Sequence, residues 1–348
     1  MGITAEKFGT TKDGKEISAY VITNANGMKA KVISYGAILT ELFVPDKDGK
    51  CVDVVLGYDT LEPYFENGSF FGATVGRSAN RIKDAKFSID GVEYQLDVND
   101  GPNNLHTHMD NGMHKKVWEA KVDETENAVT FFVSEEDGEN GFPGKLDMAV
   151  TYTLTENNEI KISYVGESDK KTLINCTNHS YFNLSGHDAG DITDHKLYLK
   201  ASHYTPVVAG AIPTGEIAPV EGTVFDFTKE MKVSEHIGDD VEQLKLVQGY
   251  DHNFVIDKDT KGIEFVAKVT DDKSGRVMEV YTDLPGIQFY AGNCISDTVG
   301  KEGVKYTKRV GLCLETQFYP NSINQEGFIK PVFDAGQEYN TTTIYAFK

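Results

Sequence analysis

From Leu146 to Thr155, large apolar side chains fall at every second position, Leu146, Met148, Val150, Tyr152 and Leu154, with mostly small or polar residues between them. A helix would scatter that set around its circumference, whereas a strand gathers it on one face. After Glu156-Asn157-Asn158-Glu159 the alternation resumes through Ile160, Ile162 and Tyr164, which predicts a β-hairpin with one buried side. A second hairpin is predicted from Ile263–Thr270 and Arg276–Thr282, joined across Asp271-Asp272-Lys273-Ser274-Gly275. Asp-Gly pairs at Asp13, Asp48, Asp90, Asp100 and Asp137 separate further strand-like runs such as Met28–Ser34, Ala37–Val44 and Ala128–Val133. Helical signals are few: a turn or two at Leu61–Glu66, and Thr228–Ile237 with Thr228 or its neighbour as cap. The chain is therefore expected to be all-β, a large antiparallel β-sandwich with few short helices and a concave face carrying any site.

No linker, low-complexity tract or composition break divides the 348 residues, so residues 1–348 are expected to form a single domain. With 54 acidic against 34 basic residues, the formal net charge of −20 repels phosphate backbones and anionic lipid. Neither nucleic acid nor membrane is an expected partner. The amino terminus lacks the pattern of a secretion signal, and no apolar run approaches a membrane span. Cys51, Cys176, Cys294 and Cys313 form no CxxC pair and read as reduced thiols, in keeping with a cytoplasmic protein. Oligomeric state is open between monomer and homodimer.

Two motif-like stretches are set aside. Gly9-Thr10-Thr11-Lys12-Asp13-Gly14-Lys15 imitates a phosphate-binding loop, but Glu16 replaces the required Ser or Thr, and an Asp-Gly hairpin tip explains the glycine. His106-Thr107-His108, with Asp110 and His114, has the composition of a metal cluster; no HExxH or paired-cysteine pattern accompanies it, and its surroundings read as loop. No dinucleotide fingerprint is present, so neither metal nor cofactor is expected.

Two segments carry candidate chemistry. In Thr177-Asn178-His179-Ser180-Tyr181-Phe182-Asn183-Leu184 a histidine stands among hydrogen-bonding and aromatic residues at the end of a strand-like run, and His179 reads as a proton donor. In Val310-Gly311-Leu312-Cys313-Leu314-Glu315-Thr316 alternation puts Glu315 on one face with Gly311 and Cys313. Small neighbours leave room for a ligand beside a buried carboxylate.

Further polar clusters are Gly76-Arg77-Ser78-Ala79-Asn80-Arg81-Ile82, Asn104-Leu105-His106, Gly249-Tyr250-Asp251-His252-Asn253-Phe254 and Leu284-Pro285-Gly286-Ile287-Gln288-Phe289-Tyr290. Together with the His179 stretch, Leu314-Glu315-Thr316-Gln317 and Tyr319-Pro320-Asn321, they occur in the order and spacing of the aldose 1-epimerases, or galactose mutarotases, which the chain resembles over essentially its whole length. The resemblance implies the galactose mutarotase-like supersandwich and a cofactor-free interconversion of the α and β anomers of hexoses such as galactose and glucose. It places the general acid at His179 and the general base at Glu315, with substrate binding at Asn80, Arg81, His106, Asp251 and Gln288. One departure stands out: Thr107-His108 occupies the place of two glycines that usually follow the first histidine.

The implied chemistry accounts for these residue types. Glu315 would take the proton of the C1 hydroxyl while His179 protonates the ring oxygen; the ring opens to an aldehyde, C1–C2 rotates, and closure on the other carbonyl face exchanges the two roles. Asp251, Arg81, Asn80 and Gln288 supply the mixed acceptors and donors that sugar hydroxyls need. Tyr181, Phe182 and Phe289 could stack on a sugar or pack a core, Asn183 reads as a backbone clamp, and Arg77 fits either role. The alternatives are a hexose-6-phosphate mutarotase, which would need extra cations beside the binding residues, and a non-catalytic sugar-binding protein, which would not need both an acid and a base.

Overall fold

The computed structural model describes residues 2–348 and is built almost entirely of antiparallel strands. The alternation read from the sequence is realised directly. Leu146–Leu154 buries Leu146, Met148, Val150, Tyr152 and Leu154 and pairs with Glu159–Ser168 in the register Leu154 to Ile160, closing the expected hairpin. The second hairpin also forms, Glu264–Thr270 against Val277–Thr282, with a bulge between Phe265 and Ala267.

These strands belong to a nine-stranded sheet. Its order is Glu119–Asp123, Ala128–Glu135, Leu146–Leu154, Glu159–Ser168, Tyr339–Phe347, Val277–Thr282, Glu264–Thr270, Lys196–Leu199 and Met231–Lys232. An N-terminal meander of five strands runs from Gly2–Thr10 to Cys51–Asp53, and the pseudo phosphate-binding loop is its first hairpin tip, between Thr10 and Glu16. A second five-stranded sheet orders Ala218–Pro219, His203–Tyr204, Asp251–Val255, Gly286–Tyr290 and Cys313–Gln317. One apolar cluster lies between the sheets and draws on all three, from Leu42 through Val150, Phe254, Phe289 and Leu314 to Tyr345. Each such side chain contributes about 1.5–3 kcal/mol when fully buried. The Tyr345 hydroxyl donates to the Leu314 carbonyl at 2.8 Å, tying the last strand to the strand that carries Glu315.

The helical expectations divide. Leu61–Glu66 contains a 3₁₀ turn at Glu62–Phe65. Thr228–Ile237 is not a helix: Met231–Lys232 forms the sheet edge against Lys196 and Leu197, followed by a single 3₁₀ turn at Val233–Glu235. The open edge of the Lys196–Leu199 strand offers hydrogen bonds that outweigh a weak local preference, and Met231 packs onto the core from there. The α-helix among the described residues, Glu242–Leu246, is too short to leave a periodic signal.

Arg77 proves structural. Its guanidinium is fully buried, donates from Nε to Glu135 at 3.1 Å and from Nη1 to the carbonyls of Pro143 and Gly144, each at 2.9 Å. Asn183 clamps backbone, donating to the carbonyls of Gly190 and Val310. Because removing one member of a buried ion pair strands the other charge, Glu135→Ala is expected to destabilise the fold by about 3–5 kcal/mol. A lowered urea midpoint, with unchanged ligand affinity in the protein that remains folded, is the expected readout.

Candidate active site

Antiparallel register builds the floor of the site. Across Asp251–Val255, Gly286–Tyr290 and Cys313–Gln317, Gln288 pairs with Asn253 on one side and Glu315 on the other, while Tyr290 stands between Asp251 and Cys313. Alternation then sends Asp251, Gln288, Tyr290, Cys313 and Glu315 to one face and Phe254, Ile287, Phe289 and Leu314 to the core. Gly286 belongs to the same face, where a Cβ would meet Asn253 Oδ1 at 2.6 Å.

His179 arrives from a separate short strand, Thr177–His179, paired with Ala73–Val75. Its Nε2 lies 3.6 Å from Glu315 Oε1, and both residues are buried. A third element, Arg81–Ile82 paired with Asn104–Leu105, brings in Asn80, Arg81 and His106. The backbone N–H of Asn80 donates to His106 Nδ1 at 3.1 Å, so the ring proton of His106 resides on Nε2. Arg81 donates from Nε to Asp100 at 2.7 Å and holds Nη1 3.9 Å from Asp251 Oδ2.

These groups enclose a cavity of about 180 Å³ lined by Asn80, Arg81, His106, His179, Asp251 and Glu315, together with Phe70, Tyr181, Tyr290 and Cys294. Gln288 lies one layer deeper, where its amide donates to Asp251 Oδ1 at 2.7 Å and accepts from Gln317 at 3.3 Å. A larger groove of about 1150 Å³, between the Lys12 hairpin tip and Phe132 and Val165 of the long sheet, contains none of the candidate residues.

The histidine-rich loop separates its members. His106 reaches the cavity, His108 accepts the N–H groups of Asp110 and Asn111 within its own loop, and His114 is buried behind Phe70. Donor atoms of His106, His179 and Glu315 lie within 4.8 Å of one another. A tetrahedral zinc holds its ligands closer, at about 3.3 Å from each other.

Burial sets the electrostatics. It pushes His179 down to about 4 and His106 well below its usual value, so both rings are neutral near pH 7. It pushes Glu315 well above the usual carboxylate range, helped by the charge of Asp251 and opposed by Arg81. Burial raises Asp251 as well, against the pull of Arg81 and the Gln288 hydrogen bond. Whether burial or the neighbouring cation governs Glu315 is thus decided for burial. Glu315 Oε2 is buried without a hydrogen-bond partner.

The family model for aldose 1-epimerases matches residues 18–346. The chain belongs to the aldose 1-epimerase family. It is 43% identical to the galactose mutarotase of Mus musculus over 348 residues, covering all of this chain and 99% of that one. It is 36% identical to the aldose 1-epimerase of Escherichia coli K12, covering 96% of each. Among solved structures, the galactose 1-epimerase of Lactobacillus acidophilus superposes with a TM-score of 0.85 at 28% identity, over 99% of this chain and 98% of that one. The all-β supersandwich expected from the family resemblance is the fold observed.

The departure from the family pattern has a backbone consequence. His106 and Thr107 both adopt left-handed conformations, with φ of 54° and 73°. Glycine takes such angles at no steric cost, whereas a β-branched residue does not. Thr107 compensates by accepting the Ser78 N–H at 2.9 Å and donating to the Ser78 carbonyl at 3.1 Å.

Several lining residues were not assigned as sugar contacts from the sequence. Tyr290 could have been, since it follows Gln288 by two in a strand. Tyr181 follows His179 by two and carried the open choice between stacking and core; it lines the cavity and also packs in a core cluster against Phe71, while Phe182 and Phe289 belong to the core alone. Phe70 and Cys294 left no local signal. Thr107→Val keeps the strained shape but deletes both hydroxyl bonds; a loss of about 1–3 kcal/mol in stability is expected, checked by urea titration alongside sugar affinity.

Proposed function

We propose that this member of the aldose 1-epimerase family interconverts the α and β anomers of free aldohexoses, with His179 and Glu315 as its acid-base pair. The observation that carries the assignment of roles is the 3.6 Å approach of His179 Nε2 to Glu315 Oε1 inside a cavity of about 180 Å³.

Turnover needs one proton on that pair at all times. Before opening it sits on His179, and Glu315 is a carboxylate; Glu315 removes the C1 hydroxyl proton as His179 protonates the ring oxygen and the bond from C1 to that oxygen breaks. The proton then sits on Glu315. After rotation about C1–C2, His179 takes the proton of the C5 hydroxyl as it attacks the other carbonyl face, and Glu315 returns its own to the new C1 hydroxyl. Burial favours the neutral distribution, consistent with the opposite shifts of the two groups. A sugar hydroxyl donating to the Glu315 carboxylate in the cavity stabilises it, and the adjacent imidazolium does the same, so substrate drives the pair toward the reactive ionisation. Well-placed groups of this kind contribute about 10²- to 10⁴-fold each.

The remaining residues act in binding. His106 offers an Nε2–H donor, Asn80 an amide, and Arg81 and Asp251 a donor and an acceptor held apart by 3.9 Å. Gln288 acts from behind by holding Asp251. A 6-phosphate is disfavoured because Arg81, the one lysine or arginine lining the cavity among the described residues, is already engaged by Asp100 and Asp251. We further read residues 1–348 as one domain, since one apolar cluster spans them from Ile22 to Phe347. The four unpaired cysteines suit a reducing, cytoplasmic setting.

Polarimetry of freshly dissolved α-D-galactose and α-D-glucose tests the activity, with faster decay to the same final rotation expected. Glu315→Gln should lower kcat by at least about 10²-fold with sugar binding retained, and His179→Asn should slow opening and closure alike; wild-type rates in either variant would remove that residue from the assignment. The pH profile provides a separate check. A second proton disables the pair only as pH falls toward about 4, the value of the buried histidine, and the single proton is lost as pH rises through the raised value of Glu315. kcat/KM should therefore fall on both sides, whereas an ordinary carboxylate base acting alone would give one acid limb near 4.5 and a flat alkaline side.

A further inference from the structure

We propose that Cys313 is a positioning residue whose sulfur fixes which ring nitrogen of His179 exchanges protons with the sugar. The inference rests on the reading of His179 as the acid. Cys313 Sγ lies 3.6 Å from His179 Nδ1, on the side of the ring opposite the Nε2 that faces Glu315. Cys313 is fully buried and shares the pleated face with Glu315, two residues along the same strand. Its place on that face therefore does more than leave room for a ligand.

The chemistry requires a defined tautomer. Once Nε2 has given its proton to the ring oxygen, the neutral ring must keep its proton on Nδ1, because only then does Nε2 carry the lone pair that removes the C5 hydroxyl proton on closure. A buried Nδ1–H needs an acceptor. The rings packed against His179 do not distinguish the nitrogens: Phe70 stacks at 5.8 Å, Tyr181 lies at 5.1 Å, and His106 and Tyr290 approach edge-on at 5.2 and 6.5 Å. The sulfur stands beside Nδ1, and as the acceptor there it favours the Nδ1–H form, alongside the bond the His179 ring makes to its own backbone. Burial keeps Cys313 a neutral thiol, its pKa well above the ordinary one. A neutral acceptor suits this site better than the carboxylate often found behind catalytic histidines, because a second charge one pleat from Glu315 would raise the cost of its ionised form. The titratable and charged groups around the ring are Glu315 and Cys313 from one strand, His106 and Tyr181 beside it, Tyr290 and Asp251 from the neighbouring strands, Arg81 across the cavity, and His114 behind Phe70.

Cys313→Ala and Cys313→Ser separate this role from packing. Alanine removes the acceptor and serine restores one. Cys313→Ala should lose about tenfold in kcat with KM nearly unchanged, the size expected of one hydrogen bond that the reacting state needs. Cys313→Ser should retain kcat within about threefold. Nitrogen-15 NMR of the neutral His179 ring should show the Nδ1–H tautomer in the wild type and in Cys313→Ser, and a shift toward Nε2–H in Cys313→Ala. An unchanged tautomer in Cys313→Ala, or equal impairment of the two variants, overturns the proposal. Failure of the underlying reading would look different, as wild-type turnover in Glu315→Gln and His179→Asn whatever stands at position 313.

Discussion

The structure depends on a carboxylate held out of water without a dedicated cation. Glu315 is the central residue of Cys313–Gln317, the outermost strand of its sheet, with small Cys313 beside it on the face and a histidine rather than a lysine or arginine within 4 Å. An isolated buried charge of this kind is costly, and a protein ordinarily neutralises it by pairing or protonation. Here the cost shows as a raised proton affinity of Glu315, beside a histidine that burial keeps neutral. The same desolvation that would count against stability reverses the usual order of proton affinity, lowering His179 and raising Glu315, so that the carboxyl holds a proton more firmly than the imidazole beside it.

Keeping that pair dry is the work of the sandwich. The opposite face of the site strands packs Phe254, Phe289 and Leu314 into a core continuous with the nine-stranded sheet, and the Tyr345 hydroxyl fixes the Leu314 carbonyl from the far side. Glu315 therefore cannot relax toward solvent by bending its strand. Arg77 and Glu135 pin a neighbouring part of the frame, beside the segment that presents Asn80 and Arg81. The candidate binding groups are each fixed by a neighbour: the Asn80 N–H donates to His106 Nδ1, the Gln288 amide to Asp251 Oδ1, and Arg81 Nε to Asp100.

The rim is made of strained turns rather than strands. Phe70, Asn80, His106 and Thr107 all have positive φ, between 54° and 73°. Such angles cost non-glycine residues and persist where the surroundings over-determine them. In this site the surroundings are each other: Phe70 packs against His106 at 4.7 Å, the Asn80 N–H donates to His106 Nδ1, and the His106 N–H donates to the Asn80 carbonyl. Aiming three side chains from three chain segments into one small cavity is what those angles achieve.

Much of the fold was legible in the residue order, because period two is a local property: Leu146 to Tyr164 declared a hairpin, and a buried-face pattern placed Glu315 with Cys313. What stayed hidden is equally physical. The edge strand at Met231–Lys232 exists because it pairs with Lys196 and Leu197, 36 and 34 residues away, a span no local window contains. Arg77 and Arg81 are four residues apart and look alike as sequence, yet one is buried against Glu135 and the other faces the cavity. By itself the sequence determined which residues alternate, which turns are tight and which ordered motifs recur, since these follow from backbone geometry and side-chain type. Only the tertiary structure decided that His179, from one strand, meets Glu315, 136 positions later, at 3.6 Å, and that burial outweighs Arg81 in setting that carboxyl's proton affinity. Distance and desolvation belong to the packed molecule and are not properties of any segment of the chain.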